Sequence, residues 1–178
     1  EKAGSVHAHT GNGEGKTTAA FGLAVRALCA GKNVYGGQFV KSMKSNETKI
    51  ERLFNGSDPT FGRIHTEQPG RGCFVEKDPE PADAEPARQG WARCTALLHS
   101  RECDVVILDE LTIALHFGLL PTSLVLNVLH SRCPSVEVII TGRYAPGKLL
   151  DAADPVTDTG EMKRHYTQGL LSRIGIDR

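Results

Sequence analysis

The sequence carries no excess of charge: Lys and Arg total 21, and Asp and Glu total 21. No block of like charge occurs either. A domain that works on nucleic-acid phosphates usually shows a basic excess or stripe, so this balance argues against nucleic acid as the main partner. There is no apolar run long enough to span a bilayer and no signal-peptide pattern, so no membrane role is expected. Internal repeats and low-complexity segments are also missing. The five cysteines (Cys29, Cys73, Cys94, Cys103 and Cys133) include no Cys-x-x-Cys pair and are odd in number. That excludes a simple disulfide framework or zinc site and points to reduced thiols in a cytoplasmic protein. His7 and His9 alternate as on a strand, yet no third metal ligand lies near them, so a structural role is expected. The chain opens on Glu1 rather than Met, from which we expect a trimmed N-terminus.

What is present is a chain of 178 residues, 39% apolar, enough for one domain over residues 1–178 with a sizeable core. Strand-like and helix-like segments alternate. "SVHAHT" reads as a strand, "TTAAFGLAVRALCAGK" as a helix stopped by Gly31, and "NVYGGQFV" as a strand whose glycines mark a bulge or close packing. "NETKIERLFNG" has Ile50, Leu53 and Phe54 at helical spacing, with Asn46 as cap and Gly56 as stop. "RIHTEQ" is a short strand. "PGRGCFVEKDPEPADAEP" is the longest loop, and Ala87, Trp91, Cys94 and Leu98 then mark one helical face. "CDVVILDE" and "VEVIITGR" are buried strands, while "TSLVLNVLHSR" and "PGKLLDAA" are helical; the tail "KRHYTQGLLSRIGIDR" has no clear period. Such alternation with continuous aliphatic strands means an α/β domain with a mostly parallel sheet covered on both faces. Its ligand belongs at the C-terminal edge of the strands.

Two motifs carry chemistry. "HTGNGEGKTT" joins a strand to a helix and ends as a Walker A motif does. Glycines let successive N–H groups curl toward an anion, the helix start adds its positive end, Lys16 adds a full charge, and Thr17 offers a hydroxyl to Mg²⁺. The match is imperfect: Thr10 stands where the motif wants its first glycine, and the glycines fall at Gly11, Gly13 and Gly15. Glu14 inside such a loop would repel phosphate and is expected to face solvent. Downstream, "VVILDE" has the form of a Walker B strand, whose Asp109 and Glu110 would supply hard oxygens to Mg²⁺ near Thr17. The alternative for Asp109 is a cap on the next helix.

Four segments together resemble the P-loop ATP:corrinoid adenosyltransferases of cobalamin biosynthesis: "TGNGEGKTTAAFGLAVRA", "VVILDELTIAL", "VIITGRYAPGKLLDAAD" and "KRHYTQGLLSRIGI". The resemblance spans nearly the whole chain. It implies a P-loop NTPase-like, RecA-like three-layer sandwich and a homodimer. It implies transfer of the 5′-deoxyadenosyl group of ATP to a Co(I) corrinoid that a flavoprotein reductase would supply, with triphosphate leaving. The nucleotide is then held the opposite way round from most P-loop proteins. By position, Thr10, Gly11, Asn12, Gly13, Glu14, Gly15, Lys16, Thr17 and Thr18 form the triphosphate loop. Lys16, Thr17 and Glu110 carry the chemistry, with Thr17, Glu110 and Asp109 around Mg²⁺. Arg26 matches a recurrent arginine, whose roles are an ATP contact or a structural salt bridge. Phe74 matches an aromatic placed against the corrin, with simple packing as its alternative. Departures are Glu14, where members carry Lys, and Glu76, where they often carry Trp.

Co(I) is itself a strong nucleophile, so such an enzyme needs no catalytic base, and no nucleophile–base arrangement stands out in the sequence. The competing expectations are a P-loop NTPase or kinase cleaving at the γ-phosphate, and a non-catalytic nucleotide- or corrinoid-binding module.

Overall fold

The computed structural model describes residues 3–40, 46–56, 58–68, 84–163 and 173–176. Six strands form one sheet: β1 (Val6–Thr10), β2 (Val34–Gln38), β3 (Ile64–Glu67), β4 (Val105–Asp109), β5 (Glu137–Thr141) and β6 (Val156–Asp158). Their spatial order is β3-β2-β4-β5-β1-β6, and every pairing is parallel. Six α-helices among the described residues surround them: α1 (Lys16–Cys29), α2 (Ile50–Phe54), α3 (Ala84–His99), α4 (Leu111–His116), α5 (Thr122–Ser131) and α6 (Gly147–Ala152).

The period-2 alternation of the strands builds two cores. Val105, Ile107 and Ile139 point to one face, where Ala20, Ala24, Ala27 and Leu28 of α1 cover them. Val106, Leu108, Val138 and Ile140 point to the other, against Trp91, Cys94 and Leu98 of α3 and Val125 and Leu129 of α5. Each aliphatic side chain buried this way contributes about 1.5–3 kcal/mol. The small residues of α1 let that helix lie close to the sheet. Gly36 of β2 serves the same approach: a Cβ there would come 3.4 Å from the Phe21 ring. Its register runs unbroken against both neighbours, so the glycines of β2 mark close packing and not a bulge. The result is the three-layer, P-loop NTPase-like α/β fold.

Several local readings differ from expectation. Asn46 opens a short 3₁₀ turn, Asn46–Lys49, ahead of α2, and its side-chain oxygen accepts from Lys49 Nζ at 2.6 Å; α2 has no side-chain cap. Leu53 is 70% exposed, so Ile50 and Phe54 alone of that triplet pack on the core. The helix α4 and the edge strand β6 have no clear sequence signal, because one is under two turns long and the other is three residues, all exposed. No helix among the described residues is long and apolar enough to cross a membrane.

Asn55, just after α2, ties that helix to β3. Its Nδ2 donates to the Ile64 carbonyl at 2.7 Å, and its Oδ1 accepts from the Ile64 N–H at 2.9 Å. Replacing it with Ala removes both bonds to a strand backbone. We expect Asn55→Ala to lower unfolding free energy by about 1–3 kcal/mol in urea titrations.

Candidate active site at the C-terminal edge of the sheet

Strand β1 ends at Thr10, and a turn over residues 11–15 leads into α1. Gly11 and Gly15 have φ of 95° and 96°, a region open to glycine and costly for other residues. Gly15 is the N-cap of α1, which has neither a side-chain cap nor an acid in its first turn. The first N–H groups of this 14-residue helix therefore face the turn with their partial positive charge uncompensated by a side chain. Lys16 Nζ curls back over the turn and donates to the carbonyls of Gly11 at 2.7 Å and Gly13 at 2.5 Å. An ammonium and a helix start thus meet at one turn, the physical form of an anion site.

Beneath it, Asp109 closes β4 with its carboxylate wholly buried. Three neutral donors satisfy it. Thr17 Oγ1 donates to Oδ1 at 2.8 Å, Thr141 Oγ1 to the same oxygen at 2.6 Å, and Gln38 Nε2 to Oδ2 at 3.2 Å. Thr141 and Gln38 end β5 and β2, and Thr17 lies in the first turn of α1, so one carboxylate ties β2, β4 and β5 to the start of α1 at the C-terminal edge of the sheet. Asp109 therefore does not cap α4; the N-cap there is Glu110, and no side-chain cap bond forms. Glu110 is half-buried, with φ of 58°, and its N–H donates to Thr141 Oγ1 at 2.9 Å. A left-handed glutamate is strained, and strain of this kind tends to collect at functional sites. The turn after β5 is held against it. Gly142 has φ of 135°, and a Cβ there would come 2.2 Å from Thr112 Oγ1, while that hydroxyl donates to the Arg143 carbonyl at 2.6 Å.

The structure thus brings Thr10, Gly11, Gly13, Gly15, Lys16, Thr17, Asp109 and Glu110 to one sheet edge. Asn12, Glu14 and Thr18 are exposed on the same turn and helix start. Arg26 is not brought there: it is exposed in the last turn of α1, about 15 Å along the helix axis from Lys16. Among the described residues no salt bridge involves it. Phe74 and Glu76 lie outside the described residues. Two site residues escaped the sequence reading, Gln38 and Thr141. Each is a buried polar residue that closes a strand after a run of residues without charge, VYGG in β2 and VII in β5, the same signal that singled out Asp109. Among the described residues no three His, Cys, Asp or Glu side chains converge as a metal cage. The described cysteines are free, and burial pushes the Cys94 thiol up to about 12.

Fold and loop together define a protein of the P-loop NTPase-like class, with its candidate site where the glycine turn meets the acid-ended strand. Comparison with known proteins narrows this. The family model described as ATP:corrinoid adenosyltransferase BtuR/CobO/CobP matches residues 2–177. The corrinoid adenosyltransferase CobA of Salmonella typhimurium is 35% identical over 177 residues, covering 99% of this chain and 87% of that protein. The corrinoid adenosyltransferases of Escherichia coli K12 and Pseudomonas aeruginosa are 33% and 32% identical, with 99% of this chain covered in each case and 87% and 85% of theirs. The chain belongs to the ATP:corrinoid adenosyltransferase family.

His9 stands immediately before this site. Burial, and then the neighbouring His7, lower its pKa from 6.5. Folding therefore favours the neutral ring, and below about pH 6.5 the unfolded chain binds more protons than the folded one. Stability from this source is present above that pH and declines as pH falls. Urea titrations at about pH 7.5 and about pH 5.5 should show that decline, and His9→Gln should make it shallower.

Proposed function

We infer that this chain transfers the 5′-deoxyadenosyl group of ATP to the Co(I) centre of a reduced corrinoid and releases triphosphate. The observation that carries the polyphosphate half is the hydrogen bond from Thr17 to Asp109, which sets the anion turn directly over the acid-ended strand. Family membership across residues 2–177 supports adenosyl transfer over cleavage at the γ-phosphate.

The residues fit a hard divalent cation. Thr17 hydroxyl and the Asp109 and Glu110 carboxylates are oxygen donors, and Mg²⁺ is commonly held by one or two carboxylates plus substrate phosphates. When bound, Mg²⁺ would neutralise charge on the departing triphosphate. Asp109 has a positioning part in this arrangement. By accepting the hydrogen bond that the Thr17 hydroxyl donates, it turns the oxygen lone pairs of Thr17 outward toward the anion turn.

In the transfer itself the Co(I) electron pair attacks the ribose C5′. A cobalt–carbon bond forms, the C5′–O bond breaks, and its electrons leave on triphosphate. No proton moves, so the chain supplies no base. Its work is to hold the nucleotide in line and to stabilise charge that grows on the leaving group. Lys16, the α1 N-terminus and the N–H groups of the glycine turn other than that of Gly13, which donates to the Thr159 carbonyl, do this. The family resemblance assigns Phe74, which lies outside the described residues, to the corrin. The same reading makes the protein a cytoplasmic homodimer served by a flavoprotein reductase.

The test is anaerobic incubation with Mg-ATP and chemically reduced cobalamin, with spectra before and after light. We expect a light-sensitive adenosylcorrinoid and inorganic triphosphate; ADP and phosphate would establish the kinase-like reaction instead. Lys16→Ala and Thr17→Ala should each lower kcat/KM by roughly 10²–10³-fold. Glu110→Gln should move the Mg²⁺ activation curve to higher concentration, and an unmoved curve would remove Glu110 from the metal site.

A further inference from the structure

The irregular glycine spacing of the phosphate turn has a structural source outside the turn. Gly11 and Gly15 need glycine for their positive φ, but Gly13 is not among the positive-φ residues. An L-residue would fit its backbone. What excludes a side chain at Gly13 is the segment that follows β6: a Cβ there would come 2.8 Å from the Thr159 carbonyl oxygen and 2.9 Å from that of Gly160. At Gly11 it would come 2.2 Å from Asp158 Oδ1 and 2.5 Å from the Thr159 carbonyl oxygen.

The same segment is bonded to the turn at both ends. Thr159 N–H donates to the Thr10 carbonyl at 2.9 Å, and Gly13 N–H donates to the Thr159 carbonyl at 2.7 Å. Thr159 Oγ1 donates to the Thr10 carbonyl at 2.8 Å and approaches that of Gly13 at 3.5 Å. Thr10 itself is in register with Asp158. The strand therefore continues to the position where a Walker A motif would already have begun to curl, which accounts for Thr10 in place of glycine there. Gly13 is consequently held on both sides, its N–H by Thr159 and its carbonyl by Lys16 Nζ.

We propose that Thr159 is a positioning residue for the phosphate turn, with Asp158–Gly160 acting as a brace that sets the orientation of the Gly13 peptide planes and so the placement of Lys16. Asp158 and Gly160 are exposed and Thr159 is half-buried; the attachment of the brace to the turn is by main-chain and hydroxyl bonds. This role rests on the reading of the turn as the triphosphate site.

Three variants test it: Thr159→Val, which keeps the shape and removes the hydroxyl; Thr159→Ser, which keeps the hydroxyl; and Gly13→Ala, which drives a methyl into the brace. Two readouts are needed. Hydrogen exchange of the residue 10–15 amides in the ligand-free protein reports the brace without nucleotide. Calorimetric binding of Mg-ATP, with separate KM values for ATP and corrinoid, reports its use. We expect faster exchange in Thr159→Val and Gly13→Ala, with Mg-ATP binding weakened roughly fivefold in the first and more in the second. The corrinoid KM should stay as in wild type, and Thr159→Ser should restore wild-type behaviour. Unchanged exchange and ATP binding in folded Thr159→Val and Gly13→Ala would overturn the proposal, as would a Thr159→Ser variant as impaired as Thr159→Val. Equal rises in both KM values would reduce the segment to general structure and overturn it too. Faster exchange in variants of a wild-type protein that binds no Mg-ATP would instead refute the nucleotide reading and leave the brace standing.

Discussion

The buried carboxylate of Asp109 organises the functional edge of this protein. A carboxylate removed from water is costly unless its oxygens are satisfied, and here Thr17, Thr141 and Gln38 converge on it. Each donor belongs to a different chain segment, so the need to satisfy one charge sets the relative heights of β2, β4, β5 and the start of α1. The anion turn inherits its place from that arrangement, because Thr17 is one residue beyond Lys16. A shift of α1 by a fraction of a turn would strand the carboxylate as well as misplace the ammonium.

Two closely packed faces make such an edge possible. Aliphatic side chains of β4 and β5 alternate between the α1 layer and the α3/α5 layer, leaving no slack for the strands to slide. Strain is kept where the sheet ends: Glu110 and Tyr144, the non-glycine residues with positive φ among those described, lie in the turns just past β4 and β5. The surrounding hydrogen bonds, Glu110 N–H to Thr141 and Thr112 to the Arg143 carbonyl, hold those turns in conformations that isolated peptides would seldom adopt.

This edge is chemically suited to a leaving group of high charge and makes no demand for proton transfer. Main-chain dipoles, one ammonium and hard oxygen donors stabilise polyphosphate whichever end of the nucleotide is cut. Reaction type therefore depends on what approaches the ribose. The part of the chain that the family resemblance places against the corrin, around Phe74, is separate in sequence from the anion turn. Among the described residues, the glycine turn, Asp109 at the end of β4 and Thr159 after β6 meet at this edge, so it is assembled from early, middle and late parts of the chain.

Much of this was legible in the amino-acid order. "HTGNGEGKTT" between a strand and a helix, and apolar "VVILDE" ending in acids, locate the anion turn and the carboxylates, because backbone freedom and charge are local properties. Alternating apolar segments likewise specify a parallel sheet covered on both sides. Other features are properties of distance in space. That Gln38 and Thr141 share Asp109, that a three-residue strand docks beside β1 and bonds on through Thr159 to Thr10, and that Gly13 is glycine because Thr159 and Gly160 press on it, all arise from pairs separated by up to 149 residues in the chain. Sequence alone determined which groups could hold a polyphosphate; tertiary structure decided which partners orient them, since a hydrogen bond has a reach of about 3 Å and is indifferent to how much chain lies between its ends.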